Sequence, residues 1–256
     1  MSFFTALKFL TIFPAPGKGQ DGPEQLGRAI GFFPLVGLVL GIVLGGAAYL
    51  LRMVLPMPVV SALLVTGMVI MTGAHHLDGL IDTCDGMVAG RTREQRLEIM
   101  SDTRVGAFGI AGACLVLLLK FSVFSSTTAM ATLLLFPTVS RWALTGAILF
   151  FPSAKDSGAG FAVKQQANWA GFITASLIAL IVSVLFAGLA QGPLLMIATI
   201  GLVCILGAIL TGIYGGLTGD SYGAIVEIGE VLVLLLIIVL NYFKHLMPGA
   251  ALITFP

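Results

Sequence analysis

Residues 72–109 read TGAHHLDGLIDTCDGMVAGRTREQRLEIMSDTRVGAFG and interrupt a chain that is otherwise almost wholly apolar. The stretch begins at the end of a long hydrophobic run. It carries Asp78, Asp82, Asp85 and Asp102, with Arg91, Arg93, Arg96 and Arg104 among or after them. Asp78, Asp82 and Asp85 sit at i, i+4 and i+7, which is one face of an α-helix, and His75 shares that face. Stacked carboxylates repel one another by about a few tenths of a kcal/mol per pair even in water. Close to a bilayer, each buried charge costs roughly 2.5–3.5 kcal/mol. A divalent cation is the simplest compensation, and hard oxygen ligands suit Mg²⁺, Mn²⁺ or Ca²⁺ rather than zinc.

Working outward, the chain has 256 residues, 58% hydrophobic and 10% charged, where a soluble domain carries about 25% charged residues. The composition specifies an all-α, polytopic integral membrane bundle with one catalytic domain over residues 1–256 and no internal repeat. A net charge of +1 gives no nucleic-acid footprint. Cys84, Cys114 and Cys204 are far apart and predict neither a disulfide framework nor a metal site. Residues 1–17 lack the features of a signal peptide and are too short to span, so they read as a short interfacial helix. Seven spans are predicted, at about 27–51, 59–76, 107–124, 128–151, 170–190, 193–213 and 231–247, each near the roughly 20 residues a crossing needs.

With the N-terminus cytoplasmic, Lys8, Lys18, Arg28, Arg91, Arg93, Arg96, Arg104, Lys155 and Lys164 share that side, nine of the thirteen basic residues. The positive-inside rule supports this orientation. Arg52, Lys120 and Lys244 read as at or near the far side. All twelve acidic residues fall on the cytoplasmic side or in helix ends facing it.

A second acidic group lies in GGLTGDSYGAIVEIGE, 215–230, read as a Gly-rich polar patch ahead of the last span. Asp220, Glu227 and Glu230 would share a helical face. Gly216 and Gly219 allow backbone N–H groups close to a ligand, with Thr218 adding a hydroxyl. Two acidic helix ends on one membrane side, with arginines nearby, fit metal-assisted phosphoryl transfer. Asp78, Asp82, Asp85, Asp220, Glu227 and Glu230 are the expected metal ligands, and Asp82, Asp85 and Asp102 the catalytic carboxylates. His76, Arg91, Arg96, Arg104 and Arg141 are expected at the substrate, together with Gly216, Thr218 and Gly219. Each has a blander reading. Asp102 can pair with Arg104 or Arg96, and the carboxylates Glu227 and Glu230 with a buried arginine. Arg141, mid-span, can neutralise a carboxylate.

HLDGLIDTCDG (76–86), RLEIMSDTRVGAFG (96–109) and GGLTGDSYGAIVEIGE (215–230), in this order and with FLTIFP at 9–14, resemble cobalamin synthase, the adenosylcobinamide-GDP ribazoletransferase family. The resemblance implies a membrane enzyme of late vitamin B12 synthesis in the bacterial cytoplasmic (inner) membrane, its active face cytoplasmic. It implies that adenosylcobinamide-GDP and α-ribazole, or its 5′-phosphate, are joined with release of GMP. It also implies Mg²⁺, one or two ions, with Mn²⁺ as a substitute, and leaves homo-oligomerisation open. The family's motifs fall on Asp78, Asp82 and Asp85, then Asp102 and Arg104, then Asp220, Glu227 and Glu230. Asp82-Thr-Cys-Asp85-Gly86, with Ala89 and Arg91, also looks like part of the CDP-alcohol phosphotransferase signature. A cation or proton transporter is the third reading, and predicts acids spread through the bilayer depth and helices unwound near its middle.

Overall fold

The computed structural model describes residues 2–16 and 23–246; Lys18, counted above, lies outside them, as does the side chain of Lys244. Twelve α-helices follow in order among the described residues: α1 (Ser2–Leu10), α2 (Pro23–Ala29), α3 (Phe33–Leu51), α4 (Met57–Met71), α5 (His75–Ala89), α6 (Arg93–Ile99), α7 (Ala107–Ser126), α8 (Met130–Phe150), α9 (Ala159–Gln166), α10 (Trp169–Ala187), α11 (Gln191–Tyr214) and α12 (Gly219–Leu246). Six are long and apolar enough to cross a membrane, and α4 with α5 makes a seventh if that bent pair counts as one span. The expected polytopic helical bundle is therefore observed.

The central element is α8, buried continuously from Ala131 to Ile148. Its neighbours approach closely because they present small residues. Gly37, Gly41 and Gly45 of α3 form a stripe at four-residue spacing. A Cβ on Gly37 would stand 2.1 Å from the Pro137 carbonyl oxygen, and one on Gly41 2.5 Å from that of Leu133. Inside lipid, where tails are as apolar as leucine, such backbone approach supplies much of the helix–helix attraction.

The break between α4 and α5 builds the polar region. Gly73 and Ala74 both adopt left-handed φ (62° and 57°), and Ala74 is the one non-glycine residue with positive φ among those described. Such a conformation costs on the order of 1–3 kcal/mol and persists where the surroundings fix it. The surroundings here are specific: the Ala74 N–H donates to the Val69 carbonyl at 2.9 Å, and the Ile12 N–H, just past α1, donates to the Met71 carbonyl at 2.9 Å. The two helices meet at 89°, and α5 then runs antiparallel to α12. His76 lies against Gly223 and Gly79 against Asp220, and the Tyr214 hydroxyl donates to the Thr83 carbonyl at 2.6 Å.

Two boundaries differ from expectation. The span expected at about 59–76 stops at Met71, and the separate helix α5 follows after the bend. The segment 219–230 is not a patch ahead of a helix starting at 231 but the first half of α12. Glycines that weaken an isolated helix are favoured here because a neighbour occupies the space of their side chains: a Cβ on Gly223 would meet the His76 carbonyl oxygen at 3.0 Å. A Cβ on Gly79 would stand 2.7 Å from the Asp220 carbonyl oxygen, and backbone cannot swing aside. Gly79→Ala is accordingly expected to wedge α5 from α12 and to cost about 1–3 kcal/mol, read as an earlier unfolding midpoint of the detergent-solubilised protein.

Candidate active site

A cavity of about 330 Å³ opens where the first turns of α5, α9 and α12 meet α1 and α8. His75, His76 and Asp78 come from α5, and Gly219, Asp220, Tyr222 and Gly223 from α12. Phe9 and Leu10 of α1, Leu144 of α8, and Ala159 and Gly160 of α9 complete the lining. Gly160 is required there, because its Cβ would stand 2.6 Å from the Gly219 nitrogen. Three helix N-termini thus border one cavity, each contributing partial positive charge. His76 is buried, and its Nδ1 has no hydrogen-bond partner among the described residues; the same holds for the Tyr222 hydroxyl.

Of the first acidic group, Asp78 lines this cavity and Asp82 follows one turn along α5. Asp82 stands in the field of Asp78, Asp220 and Asp85, with Lys155 as its opposite-charge neighbour. Lys155 also acts on Asp220 and its Nζ donates to Ser101 Oγ at 3.1 Å. The strap that carries it is fixed: Leu217 N–H donates to the Pro152 carbonyl at 2.8 Å and Ala154 N–H to the Leu217 carbonyl at 2.9 Å. Asp78 and Asp220 thus share the cavity wall, Asp82 stands in their field, and Lys155, which the sequence reading counted only as a loop charge, is the opposite charge acting on Asp82 and Asp220.

Asp85 does a different job. It is buried, and its two oxygens accept from the Gly106 N–H at 2.7 Å and the Gly109 N–H at 2.8 Å. Both glycines leave room that a side chain would fill, at 2.3 and 2.5 Å from the carboxylate. A carboxylate from α5 thus caps the N-terminus of α7, satisfying donors that α7 cannot.

Several expected contacts turn elsewhere. Glu227 and Glu230 do not face the cavity with Asp220. Lys120 of α7 donates to Glu227 at 2.6 Å and to Glu230 at 2.5 Å, and Arg141 of α8 is ion-paired with Glu230. All four are buried inside the bundle, so Glu227 and Glu230 belong to an internal ion-pair network with Lys120 and Arg141 and not to the cavity that Asp220 lines. The physical reason is that a buried carboxylate must find a cation. Arg141 also donates to Ser140 Oγ at 3.2 Å and to the Pro137 carbonyl at 3.3 Å, rather than reaching the cavity. Arg96 donates to the Gly90 carbonyl at 3.0 Å and to the Ile213 carbonyl at 3.1 Å. It ties the C-terminal ends of α5 and α11, where cations favour the helix dipole. Asp102 pairs with Arg104 at 2.6 Å on the surface, and that side chain holds its carboxyl below the usual carboxylate range. Arg91 is exposed at the head of α6. Thr218 Oγ1 accepts the Ser221 N–H at 3.1 Å and so shapes the start of α12. Gly216, at φ 154°, lies so close to Ser153 and Ala154 that a Cβ would stand 2.5 Å from the Ser153 carbonyl carbon. Of the expected substrate contacts Gly216, Thr218 and Gly219, only Gly219 lines the cavity.

The donor set suits one metal class. Among the described residues no three acidic, histidine or cysteine groups form a ready cage. Asp78 and Asp220 are hard oxygen donors in the cavity wall, and Asp82 is a third one turn along α5. Mg²⁺ is commonly held in this way, by one or two carboxylates with waters and substrate phosphates completing the octahedron.

The sequence profile of cobalamin-5-phosphate synthase matches residues 2–238. The adenosylcobinamide-GDP ribazoletransferase of Geotalea daltonii is 38% identical over 241 residues, covering 93% of this chain and 97% of its own length. Proteins of the same name from Desulfitobacterium hafniense and a Roseiflexus species are 37% and 36% identical, over 90% of this chain in each case and 93% and 86% of their own lengths. No solved structure matches. A match along nearly the whole chain, spanning the acidic first turns of both α5 and α12, settles the kinship: the chain belongs to the cobalamin-5-phosphate synthase family.

Proposed function

We propose that this chain is a Mg²⁺-dependent adenosylcobinamide-GDP ribazoletransferase of the bacterial inner membrane, working at its cytoplasmic face. The observation that carries the site assignment is the face-to-face packing of α5 on α12, which sets Asp78 and Asp220 in the wall of one cavity. In the transfer, a ribose hydroxyl of α-ribazole or its 5′-phosphate attacks the phosphorus bound to the cobinamide side. The new O–P bond forms as the bond to the second phosphate breaks, and GMP leaves. In this reading Asp78 or Asp220 would take the hydroxyl proton, and Lys155 would hold a phosphate oxygen as a point charge. Asp78, Asp82 and Asp220 would hold the metal, which supplies charge neutralisation to the pyrophosphate when bound. Arg91 just ahead of α6, Arg93 and Arg96 on it, and Lys155 on the neighbouring strap supply the positive side of the membrane orientation.

The protein in detergent is expected to release GMP when given both substrates with Mg²⁺, and to stop on chelation, recovering with Mg²⁺ or Mn²⁺. Turnover indifferent to chelation would remove the metal from the reading, and CMP released from a CDP-alcohol donor would move the chain to the other phosphotransferase class. The broken α4–α5 span and the buried charges of α7, α8 and α12 give the transporter reading its one foothold. Ion flux through liposomes without GMP release would establish it.

A further inference from the structure

The motif FLTIFP at 9–14 ends α1 and reaches the break that aims α5. A helix leaves its last four carbonyls without intrahelical donors. At the end of α4, three of them are satisfied from the same turn. The Thr72 N–H donates to the Met68 carbonyl at 3.1 Å, the Ala74 N–H to that of Val69 at 2.9 Å and the Gly73 N–H to that of Ile70 at 2.9 Å. The fourth, on Met71, has lost its helical donor, because the His75 N–H turns to the Thr72 carbonyl at 3.4 Å. It accepts instead from the Ile12 N–H at 2.9 Å, on a segment distant in sequence.

Main-chain geometry holds Ile12 at that spot. Its side chain is 55% exposed, so burial contributes little. The buried Thr11 hydroxyl fixes the turn, donating to the Leu7 carbonyl at 2.7 Å and accepting the Phe13 N–H at 3.2 Å. Phe9 anchors the preceding helix by stacking on Phe33 of α3, with ring centroids 5.8 Å apart. Ile12 also closes over the break: a Cβ on Gly73 would stand 2.7 Å from Ile12 Cγ2 and 3.2 Å from His75 Nε2. Beyond Gly73, Ala74 keeps a left-handed φ of 57°, which a residue with a Cβ does not hold unaided. Its carbonyl accepts the Asp78 N–H at 2.9 Å, in the first turn of α5. Ile12 is thereby linked, contact by contact, to a carboxylate of the cavity wall.

Resting on the proposed role of Asp78, we infer that FLTIFP is a positioning element for that carboxylate: the Ile12 N–H fixes the left-handed turn, and the turn fixes where Asp78 enters the cavity wall. Ile12 and Thr11 act through Asp78 and touch no reacting atom. Misplacing a reacting group by about 1 Å costs up to about 100-fold in rate, so a single main-chain bond at the break governs turnover.

Ile12→Pro removes the donor N–H, and Ile12→Ala keeps it while trimming the side chain. Ile12→Pro is expected to slow GMP release per folded molecule about 10-fold or more, and Ile12→Ala to stay within about two-fold of the unmutated protein. Equal losses in the two, or an Ile12→Pro rate within about two-fold of the unmutated one, overturn the inference. A double-mutant cycle separates positioning from stability alone. In an Asp78→Asn background, Ile12→Pro is expected to cost no more than about two-fold further, since the group it aims is gone. The same factor in both backgrounds overturns the inference. Amide exchange of the detergent-solubilised protein needs no turnover. Residues 72–78 are expected to exchange about 10-fold faster in Ile12→Pro, and unchanged exchange there overturns the inference even where the reaction stands. Absence of GMP release from the unmutated protein would instead defeat the reaction, and the exchange rates would still decide the coupling. If Ile12→Pro does not fold, Thr11→Val removes the hydroxyl at nearly constant volume. It is expected to speed exchange and slow GMP release by about 3-fold each; no change in either overturns the inference.

Discussion

Glu230→Ala is expected to cost the folded bundle about 3–5 kcal/mol, the usual loss when one partner of a buried ion pair is removed. Glu230 is fully buried and engages two cations at once, Lys120 through one oxygen and Arg141 through the other. Its loss leaves the Arg141 guanidinium with only the Pro137 carbonyl and Ser140 Oγ, both beyond 3.1 Å. It also unties α8 from α12, because the buried pair that remains, Lys120 with Glu227, joins only α7 to α12. The check is equilibrium unfolding of the detergent-solubilised protein. A control distinguishes the network from simple packing. Lys120→Met with Glu227→Gln removes one cation and one anion together and keeps Arg141 with Glu230, so the double variant should lose clearly less than the sum of its singles. Strict additivity would sink the coupled network.

How much of this was legible follows from which interactions are local. The helical face of Asp78, Asp82 and Asp85 is a matter of spacing within one helix, and α5 has it. The end of α4 was not legible: the expected span runs to about 76, whereas α4 stops at Met71 and the chain turns through left-handed Gly73 and Ala74, the second of which carries no glycine signal. What could not be read was the choice of distant partner. Nothing local says that Asp85 should cap α7, since any N-terminus offers the same donors. The buried quartet was hidden by a single boundary. With α12 starting at Gly219, Glu227 and Glu230 lie about 12 and 16 Å along its axis, comparable to the roughly 20 Å of Lys120 along α7. With the last helix placed at 231, they belong to a surface patch, and Lys120 has no counter-charge at its depth. The signal that was available is the lone lysine itself: an ionisable residue within an apolar span demands a partner, and Lys120 deserved the suspicion given to Arg141. Tyr222, Phe9, Leu10 and Leu144 carry no sequence signal of a site, because an aromatic or a leucine in such a chain is ordinarily core or lipid-facing.

Asp82→Asn is expected to lower GMP release about 100-fold or more while leaving the fold as stable as before, or more so. The activity estimate follows from losing a charged donor to the metal and its phosphates, for which a factor of about 10²–10³ is usual for one electrostatic group. The stability sign follows from its setting: partial burial and the like charges of Asp78, Asp220 and Asp85 disfavour a charge there, with Lys155 opposing them, so a neutral amide relieves both. A residue that destabilises the resting protein and is nonetheless present is the signature of a site where function opposes stability. Asp85→Asn, three residues on, should behave in the opposite way. Its amide would present N–H toward Gly106 or Gly109, where the carboxylate now accepts at 2.7 and 2.8 Å. That leaves a buried donor unpaired at a cost of about 1–3 kcal/mol. Measured side by side, unfolding midpoints and GMP release should therefore separate the two aspartates. If Asp82→Asn turned over within about two-fold of the unmutated rate, or if it unfolded while Asp85→Asn did not, the division between a reacting carboxylate and a capping one would be reversed.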